Sequence, residues 1–424
     1  MKLALIKVFL HERQRKSHSV TFDYLIASMR EAKLDIDIKI CYSLDEIVKF
    51  KPDIVGISSA TESYMIAKRL AKETKDKLGS LIIMGGTHIT ALPLTMSKEV
   101  DIGILGEGEV TIVELLKHIE KYKMGCLEEV DGISFWDGNR IIINKSRKPL
   151  PMDELPIPIY PQIKYDFGDA VAILTTRGCV NNCDHCSEQA IWRPFRYLSP
   201  QRLVDIIETH YKKSGKTNYV FLDDISFFNL KKVVGLKEEL NKRNLLGKVK
   251  IVKGSVNSEL VTDDIVRVLK DLGLKLAGFG LESASPKILN AMKKGRVTTK
   301  DFENCITLFG KHGIRSGASS VWGYPGETLE SMNETSEFLK KWNGKHKFKS
   351  FMQYCCQPLP GSPLWQRMYE KGKVSLDMDF SRIQIHPGNL DSNWLYVNEA
   401  ISKKQFVEFM KQLRINIKKW RKGK

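Results

Sequence analysis

Three cysteines lie within eight residues of one another, directly after a short apolar run. The chain from Thr175 reads Thr-Thr-Arg-Gly-Cys-Val-Asn-Asn-Cys-Asp-His-Cys, with thiols at Cys179, Cys183 and Cys186. The apolar residues 170–174 predict a buried strand, and α/β proteins place their reactive groups on loops at the carboxyl ends of such strands. Soft thiolates at this spacing are typical ligands of an iron–sulfur cluster or of zinc.

The number of thiols favours a cluster over a structural zinc site. Structural zinc needs four ligands, and the nearest fourth candidate, His185, is squeezed between two cysteines. A cubane cluster held by three cysteines instead keeps one iron open for a further ligand. A disulfide is disfavoured, because the eight cysteines are scattered and nothing in the sequence suggests export.

Length and composition allow two or three domains with substantial cores. The chain has 424 residues, of which 42% are hydrophobic. Its apolar start, residues 1–10, is interrupted by Lys7 and too short to span a bilayer, so it predicts a first strand rather than a signal peptide. No other stretch suits a membrane span, and the free-thiol usage predicts a cytoplasmic protein.

The net charge of +17 raises the question of nucleic-acid binding. Much of this charge is local, since nine Lys and Arg but a single Glu lie between Lys403 and Lys424. Apolar residues recur there at helical spacing: Phe406, Met410, Leu413, Ile417 and Trp420. We therefore expect a C-terminal helix that packs through this stripe and exposes a basic face. Docking of an acidic partner is the alternative, and nucleic-acid binding stays open although disfavoured.

Residues 1–140 alternate strand and helix patterns. Strands are predicted at 3–10, 36–41, 53–58, 81–84 and 101–105, and helices at 21–32, 63–78 and 111–121. This alternation is typical of a doubly wound, Rossmann-like parallel sheet, which binds ligands at the carboxyl ends of its strands.

The alternation resumes after a linker predicted at 141–164, which is rich in proline. Strands are predicted at 170–175, 219–223, 249–253, 275–279, 314–321 and 348–353, with helices between them. Six βα units are too few for a closed eight-fold barrel, so residues 165–365 predict a partial (β/α)6 barrel. Residues 366–424 predict a small C-terminal helical region. The fold class is therefore α/β.

The cysteine spacing matches the Cys-x3-Cys-x2-Cys signature of radical S-adenosylmethionine (SAM) enzymes, and residues 165–365 resemble the barrel of that superfamily. Four further segments resemble its strand motifs: Phe-Leu-Asp-Asp at 221–224, Gly-Phe-Gly-Leu-Glu-Ser at 278–283, Gly-Tyr-Pro-Gly-Glu-Thr at 323–328 and Pro-Leu-Pro-Gly-Ser-Pro at 358–363. The resemblance implies a [4Fe–4S] cluster on the three cysteines, with SAM bound to the open iron.

The same resemblance implies contacts to SAM. Asp223 and Asp224 would hold its amino group, and Glu282 and Ser283 would approach its ribose and carboxylate. His185 stands where most members carry an aromatic residue that packs on the adenine, so this chain departs from the pattern there.

Three segments before the barrel resemble the cobalamin-binding domain of B12-dependent radical SAM enzymes: 53–59, 84–90 and 106–109. Glycine pairs at strand ends let the backbone approach a planar macrocycle and its nucleotide tail. The resemblance implies cobalamin contacts from Ser58, Ser59, Thr61, Glu62, Gly85, Gly86, Thr87, Gly106, Glu107 and Gly108.

The DxHxxG motif, whose histidine binds cobalt from below in methionine-synthase-like domains, is absent. Radical SAM relatives commonly lack it, so cobalamin is still expected, although relatives that have lost the cofactor share the fold. Candidates for a residue at the lower face are Glu62, Tyr64, His11 and His18, and an ordinary surface role is the alternative for each.

The resemblance implies a C-methyltransferase that acts on an unactivated carbon. A methyl group from one SAM would pass through cobalamin, and a 5′-deoxyadenosyl radical from a second SAM would remove hydrogen from the substrate. The electron donor would be of the flavodoxin or ferredoxin type.

Four further residues are expected near the barrel mouth: Tyr324, Tyr354, Cys355 and Cys356. For the two cysteines a buried apolar role is favoured, and radical quenching or iron binding is the alternative.

Two other functions compete with methyl transfer. The same cofactors could support cyclisation, ring contraction or another rearrangement without net methyl transfer. A zinc-containing RNA-binding protein is a remote alternative, because it leaves the SAM-like motifs unexplained.

The substrate is not determined by these motifs: small metabolites, lipids, tRNA and protein side chains all stay open. The basic surplus favours an anionic or macromolecular substrate, and a peptide or protein side chain is the first hypothesis.

Overall fold

The computed structural model describes residues 1–10, 19–158, 170–388, 390 and 392–422. The first sheet contains β1 (Lys2–Lys7), β2 (Asp37–Ile40), β3 (Ile54–Ser58), β4 (Leu81–Gly85), β5 (Ile102–Ile104), β6 (Ile133–Asp137) and β7 (Arg140–Ile143). Its helices are α1 (Val20–Glu31), α2 (Leu44–Phe50), α3 (Tyr64–Leu78), α4 (Thr87–Ala91) and α5 (Gly108–Tyr122). His11 and His18 lie outside the described residues.

The strand order of this sheet is β2-β1-β3-β4-β5-β6-β7. The first five strands are parallel, as predicted, and the order reverses direction at β1, which is where doubly wound sheets bind ligands. The last two strands form an antiparallel hairpin on β5. This hairpin was not predicted, and the first residues assigned to the linker, 141–143, belong to β7.

The second sheet is fully parallel, in the order β15-β14-β13-β12-β11-β8. Its strands are β8 (Ala170–Ile173), β11 (Asn218–Phe221), β12 (Lys250–Ser255), β13 (Leu276–Glu282), β14 (Arg315–Trp322) and β15 (Phe348–Cys355). A two-stranded antiparallel ribbon, β9 (Thr176–Arg177) with β10 (Arg196–Tyr197), follows β8. The predicted six-stranded partial barrel is confirmed.

The helices of this second part flank the strands and continue to the C-terminus. They are α6 (Glu188–Ile191), α7 (Pro200–Ser214), α8 (Leu230–Lys242), α9 (Asp263–Asp271), α10 (Pro286–Lys293), α11 (Thr299–Lys311), α12 (Leu329–Trp342), α13 (Pro363–Glu370) and α14 (Lys403–Lys422). None of the helices in the described part of the chain is long and apolar enough to cross a membrane.

The C-terminal segment ties the two sheets together. Helix α13 buries Leu364 and Trp365 in a core that also contains Ile6 of β1. Helix α14 buries Phe406 and Met410 in the barrel core, as its helical stripe predicted. We call α13, α14 and the described residues between them the C-terminal strap. The C-terminal strap is therefore part of both hydrophobic cores rather than a separate helical region.

Buried ion pairs join the first sheet to the barrel. Arg177 of β9 contacts Glu107 at 2.8 Å and Glu109 at 2.5 Å, and all three side chains are about nine-tenths buried. Arg196 of β10 also pairs with Glu107, and the Arg177 guanidinium lies 5.1 Å from the ring centroid of Tyr24. Burial alone would lower the pKa of Arg177, but the two carboxylates raise it above its ordinary value. These pairs connect the β5–α5 turn to the strands β9 and β10, which lie on either side of the three cysteines in sequence.

We expect Arg177→Met to destabilise the protein by about 3–5 kcal/mol, because it leaves the buried Glu109 carboxylate without a cation and leaves Glu107 paired with Arg196 alone. The largely exposed Arg69–Glu73 pair provides the control, and Arg69→Met should leave Tm nearly unchanged. Thermal unfolding followed by circular dichroism measures both variants. Similar Tm values for Arg177→Met and the wild type would contradict a role for this contact in holding the two parts together.

Candidate functional site

A cavity of about 330 Å³ lies between the carboxyl ends of the two sheets. From the first sheet it is lined by the ends of β1, β3 and β4 and by the turns that follow β4 and β5. From the barrel it is lined by Arg177, Gly178 and Glu188, which flank the three cysteines in sequence, and by Asp223 and Asp224 after β11. The two strand-end loops on which α/β proteins carry chemistry therefore face one space.

Eight of the ten residues predicted to contact cobalamin line this cavity: Ser58, Ser59, Gly85, Gly86, Thr87, Gly106, Glu107 and Gly108. The register of the sheet explains the first of them, since Ser58 pairs with Gly85 at adjacent strand ends. Gly86 has a φ of +108°, and a Cβ there would lie 2.3 Å from the Ser59 carbonyl oxygen. Only glycine allows the two turns to approach this closely.

Thr61, Glu62 and Tyr64, which were predicted near cobalamin, do not line this cavity. Tyr64 stacks on His88 with ring centroids 3.8 Å apart, and Thr61 Oγ1 lies 3.2 Å from His88 Nδ1. Burial lowers the pKa of His88 to about 3, so the ring is neutral. The segment after β3 is thus committed to packing against α4. Glu62 lies half-buried in the same turn.

The cavity extends below the strand ends into an apolar recess. The recess is lined by Leu5, Phe22, Leu25, Ile83, Ile104 and Ile112, which come from three strands and from helices α1 and α5. A Cβ on Gly106 at its mouth would meet no protein atom within 4 Å, so the turn there faces open space. This lining suits a flat, largely apolar group more than an ion.

The three cysteines lie half-buried on the loop between β9 and α6. The backbone N–H of Asn181 donates to Cys179 Sγ at 3.4 Å, and Arg296 Nη2 lies 4.0 Å from Cys183 Sγ. Burial raises the pKa of Cys179 to about 11 and raises that of Cys186 further, so metal binding must release protons. Across the described residues, no three His, Cys, Asp or Glu side chains are grouped to hold a metal ion.

Asp184, between two of these cysteines, anchors the loop to distant parts of the chain. Its carboxylate accepts hydrogen bonds from Arg367 Nη1 and Nη2 at 2.5 and 2.6 Å and from the Tyr324 hydroxyl at 2.8 Å. Its backbone carbonyl accepts a bond from the Leu364 N–H. Although burial opposes ionisation, the bonds from Arg367 and Tyr324 hold the pKa of Asp184 below its ordinary value. The C-terminal strap therefore binds the cysteine loop through the bidentate ion pair of Arg367 with Asp184.

Two carboxyl groups face the cavity beside this loop. Glu188 follows Cys186 closely in sequence, and its pKa is raised to about 8 by burial and by the neighbouring Asp224. The pKa of Asp224 is also raised, chiefly by desolvation. Glu188 was not predicted as a site residue, although its position two residues after the last cysteine was a usable signal. Such a pair favours a cationic ligand, because a cation relieves the repulsion between two neighbouring carboxylates.

Asp223, next to Asp224 in sequence, is hydrogen-bonded to the strand end that precedes the cysteines. Its carboxylate accepts bonds from the Thr175 and Thr176 N–H groups at 2.5 and 3.0 Å and from the Thr175 hydroxyl at 2.5 Å. Burial raises its pKa to about 7, and these bonds oppose the shift. Asp223 therefore shapes the strand end before the cysteines as well as lining the cavity beside Asp224, and its predicted contact with SAM stays a prediction.

Glu282, the last residue of β13, and Ser283, which follows it, do not line the cavity. Glu282 has a φ of +59°, and its Oε1 lies 3.2 Å from Lys293 Nζ. Ser283 is fully buried and its hydroxyl lies 3.1 Å from Thr335 Oγ1, so it does not present a hydrogen-bonding group to the cavity. His185 Nδ1 has no hydrogen-bond partner among the described residues, and burial lowers the pKa of His185.

The residues expected near the barrel mouth are mostly buried. Cys355 and Cys356 are 2% and 3% exposed, which agrees with the predicted apolar role. Tyr354 lies with its ring centroid 5.6 Å from that of His386.

A buried carboxyl group lies in the turn after β14. Glu327 Oε2 accepts a 2.5 Å bond from the Gly323 N–H, and burial raises the pKa of Glu327 to about 7.

Family models match both parts of the chain. The radical SAM superfamily model matches residues 173–339, and the B12 binding domain model matches residues 6–116. The uncharacterized methyltransferase PH0819 of Pyrococcus horikoshii is 30% identical over 372 residues, which cover 81% of this chain and 76% of the relative.

Two further relatives have tetrapyrrole names. The anaerobic magnesium-protoporphyrin IX monomethyl ester cyclase of Cereibacter sphaeroides is 26% identical over 80% of this chain and 56% of its own length. The bacteriochlorophyllide d C-12(1)-methyltransferase of Chlorobaculum tepidum is 25% identical over 75% of this chain and 66% of its own length.

Solved structures share the fold. The radical SAM methyltransferase TsrM from Kitasatospora setae, with tryptophan and a SAM analogue bound, has a TM-score of 0.69 and 16% identity, covering 87% of this chain and 76% of its own. The cobalamin-dependent SAM radical enzyme OxsB with aqua-cobalamin bound has a TM-score of 0.71 and 17% identity, covering 98% and 67%. At these identities the likeness concerns the fold alone.

Removal of the Arg367 charge should loosen the cysteine loop. We expect Arg367→Met to release iron from the reconstituted protein to a chelator several-fold faster than the wild type, because Asp184 loses its bidentate partner. Lys371→Met, at the exposed end of the same helix, is the control. In the double variant Asp184→Asn/Arg367→Met, release should be no faster than in Arg367→Met alone. Equal release rates in Arg367→Met and the wild type would exclude this role.

The buried Glu327 predicts a pH-dependent contribution to stability. Its folded-state pKa of about 7 exceeds the ordinary value of 4.5, so its contribution is full below pH 4.5 and is lost as pH rises through 7. Glu327→Gln, which stays neutral, should therefore gain on the order of 2–3 kcal/mol relative to the wild type between pH 5 and pH 8. Unfolding at both pH values measures this gain, with the exposed Glu330→Gln as control. A difference that does not grow with pH would contradict the assignment.

Proposed function

Because the chain belongs to the radical SAM enzymes that carry a B12-binding domain, we propose that it is a methyltransferase that methylates an unactivated carbon. The cofactors of this family are a [4Fe–4S] cluster, SAM and cobalamin. The observation that carries the proposal is the single cavity lined by both sheets. A methyl carrier on one wall and a radical source on the other could then act on one substrate without releasing either group to water.

Residues on the cavity walls, together with the cysteine loop that adjoins them, fit these groups. The apolar recess and the turns at Gly86 and Gly106 would hold cobalamin, and Cys179, Cys183 and Cys186 would hold the cluster. The carboxyl pair of Glu188 and Asp224 would hold the ammonium group of SAM. When bound, the cluster and SAM supply a radical that removes hydrogen from the substrate, and cobalamin supplies the methyl group.

The protein's own residues position these groups. Asp223 fixes the strand end before the cysteines, and Asp184 fixes the cysteine loop itself. The ion pairs of Arg177 with Glu107 and Glu109 connect the two walls of the cavity. Glu107 therefore supports the site through Arg177 and Arg196, in addition to lining the cavity.

We propose a peptide or protein side chain as the substrate, because the net charge of +17 favours an anionic or macromolecular partner. The names of two relatives point to tetrapyrroles as the competing class. The cyclase among them also supports the second candidate function, a rearrangement without net methyl transfer. A zinc-containing RNA-binding protein is set aside, because it explains neither family match.

The ratio of products separates the two candidate functions. Reduced holoenzyme is incubated anaerobically with SAM and either acidic and neutral peptides or protoporphyrin esters, and the products are quantified by mass spectrometry. A methyltransferase should form S-adenosylhomocysteine and 5′-deoxyadenosine in equal amounts with a methylated product. Formation of 5′-deoxyadenosine alone, with an altered but unmethylated product, would contradict the proposal in favour of rearrangement.

The cysteines provide the matched control for this experiment. The triple variant Cys179→Ala/Cys183→Ala/Cys186→Ala should lower 5′-deoxyadenosine formation by at least about 100-fold, because the thiolate ligands are lost. Cys126→Ala, which removes an exposed thiol outside the cavity, should keep wild-type activity. Undiminished SAM cleavage in the triple variant would exclude the proposed site.

A further inference from the structure

A partly exposed aromatic cluster lies next to the cysteine loop. The rings of Phe195, Tyr197 and Phe228 form it, with Phe228 centred 5.0 Å from Phe195 and 5.2 Å from Tyr197. Tyr197 is 40% exposed and Leu230 nearby in sequence is 39% exposed. Large aromatic side chains in contact with solvent and with one another are typical of interaction surfaces rather than of plain surface.

This cluster is close to the proposed cluster ligands. If Gly178, the residue before Cys179, carried a Cβ atom, that atom would lie 3.5 Å from the Cα of Phe195. Because neighbouring Cα atoms are 3.80 Å apart, the Cα atoms of Phe195 and Cys179 lie within about 9 Å of each other. Strand pairing supports this proximity, since Tyr197 of β10 is opposite Thr176 of β9.

The surface around the rings is positively charged. Lys232 Nζ lies 4.3 Å from the Tyr197 ring centroid, and Arg193 and Lys231 are exposed. Arg193 donates to the neutral Gln189, and none of these three cations is in an ion pair within the described part of the chain. The carboxylate of Asp153, which accepts a bond from the Ser199 N–H, adds one negative charge at the edge. The balance therefore favours a negatively charged partner.

We propose that this aromatic and basic surface is where an acidic one-electron carrier protein docks to reduce the cluster. The inference rests on the proposed function, because only a redox cluster at Cys179 requires an external electron. The carrier gives up one electron to the oxidised cluster and is itself oxidised by one electron. Lysines around the rings attract the carrier, and the rings supply a flat, desolvated contact close to the cysteine loop.

The competing docking surface is the basic helix α14. Its exposed Lys411 and Lys418 carry a similar local charge, which provides a matched control. Lys411→Glu/Lys418→Glu changes the total charge by the same amount as Lys231→Glu/Lys232→Glu. Any effect of net charge alone would therefore be equal in the two variants.

The test is stopped-flow reduction of the reconstituted, full-length protein, followed as bleaching of its visible absorbance. The electron source is either a bacterial flavodoxin in its hydroquinone form or dithionite. We expect Lys231→Glu/Lys232→Glu to lower the flavodoxin rate constant at least about ten-fold at low salt, and Tyr197→Ser to lower it several-fold, while dithionite rates stay unchanged. The α14 variant should reduce as fast as the wild type.

Other outcomes overturn the inference. A slower flavodoxin reaction in the α14 variant, or no change in either charge variant, would place docking elsewhere. Failure of flavodoxin to reduce a wild-type protein that dithionite does reduce would likewise exclude an acidic carrier of this kind. If dithionite itself bleaches no cluster in the wild type, the proposed function fails as well, so the two failures are distinguishable.

Discussion

The buried ion pairs between Arg177 and the carboxylates of Glu107 and Glu109 set the geometry on which the rest of the structure depends. Among the described residues the two sheets share no hydrogen-bonded strand, so contacts between side chains must contribute to their relative placement. Arg177 belongs to the ribbon that leads into the cysteine loop, and the two glutamates belong to a turn that lines the cavity. One guanidinium therefore connects the wall that would hold cobalamin to the wall that would hold the cluster. Removing it would leave charges buried without compensation, which is costlier than losing an exposed pair.

The C-terminal strap supplies the second constraint. Its helix α13 packs in the core of the first sheet, and its Arg367 grips Asp184 within the cysteine loop. Its helix α14 packs on the barrel. A loop that carries metal ligands must keep them in position while it exposes them to ligand, and rigid neighbours achieve this better than the loop can alone. The bidentate bond from Arg367 to Asp184 restrains the loop against helix α13. The strap therefore contributes to the site, although it carries none of the proposed ligands.

The fold was largely predictable from the sequence, because strands buried on both faces read as continuous apolar runs. The β6–β7 hairpin was missed, since the proline-rich residues that follow it drew the domain boundary too early. Helix α2 was also missed, although Ser43 and Glu46 have the spacing of a helix start, and Ser43 Oγ accepts the Glu46 N–H. Motif resemblance led to the cavity, but it could not show that Asp223 also accepts bonds from the Thr175 and Thr176 backbone or that Ser283 is buried. The partners of Asp184 lie 140 and 183 residues away, and no local pattern predicts contacts at such separations.

The central claim is that the cluster and cobalamin face each other across one cavity. Electron paramagnetic resonance of the reconstituted protein tests it most directly, with cobalamin in its paramagnetic Co(II) form and the cluster either oxidised or reduced by one electron. The account predicts that the cobalt signal broadens and relaxes faster when the cluster is reduced, and that this change disappears when the three cysteines are replaced by alanine. A cobalt signal that is identical in both cluster states would contradict a shared cavity.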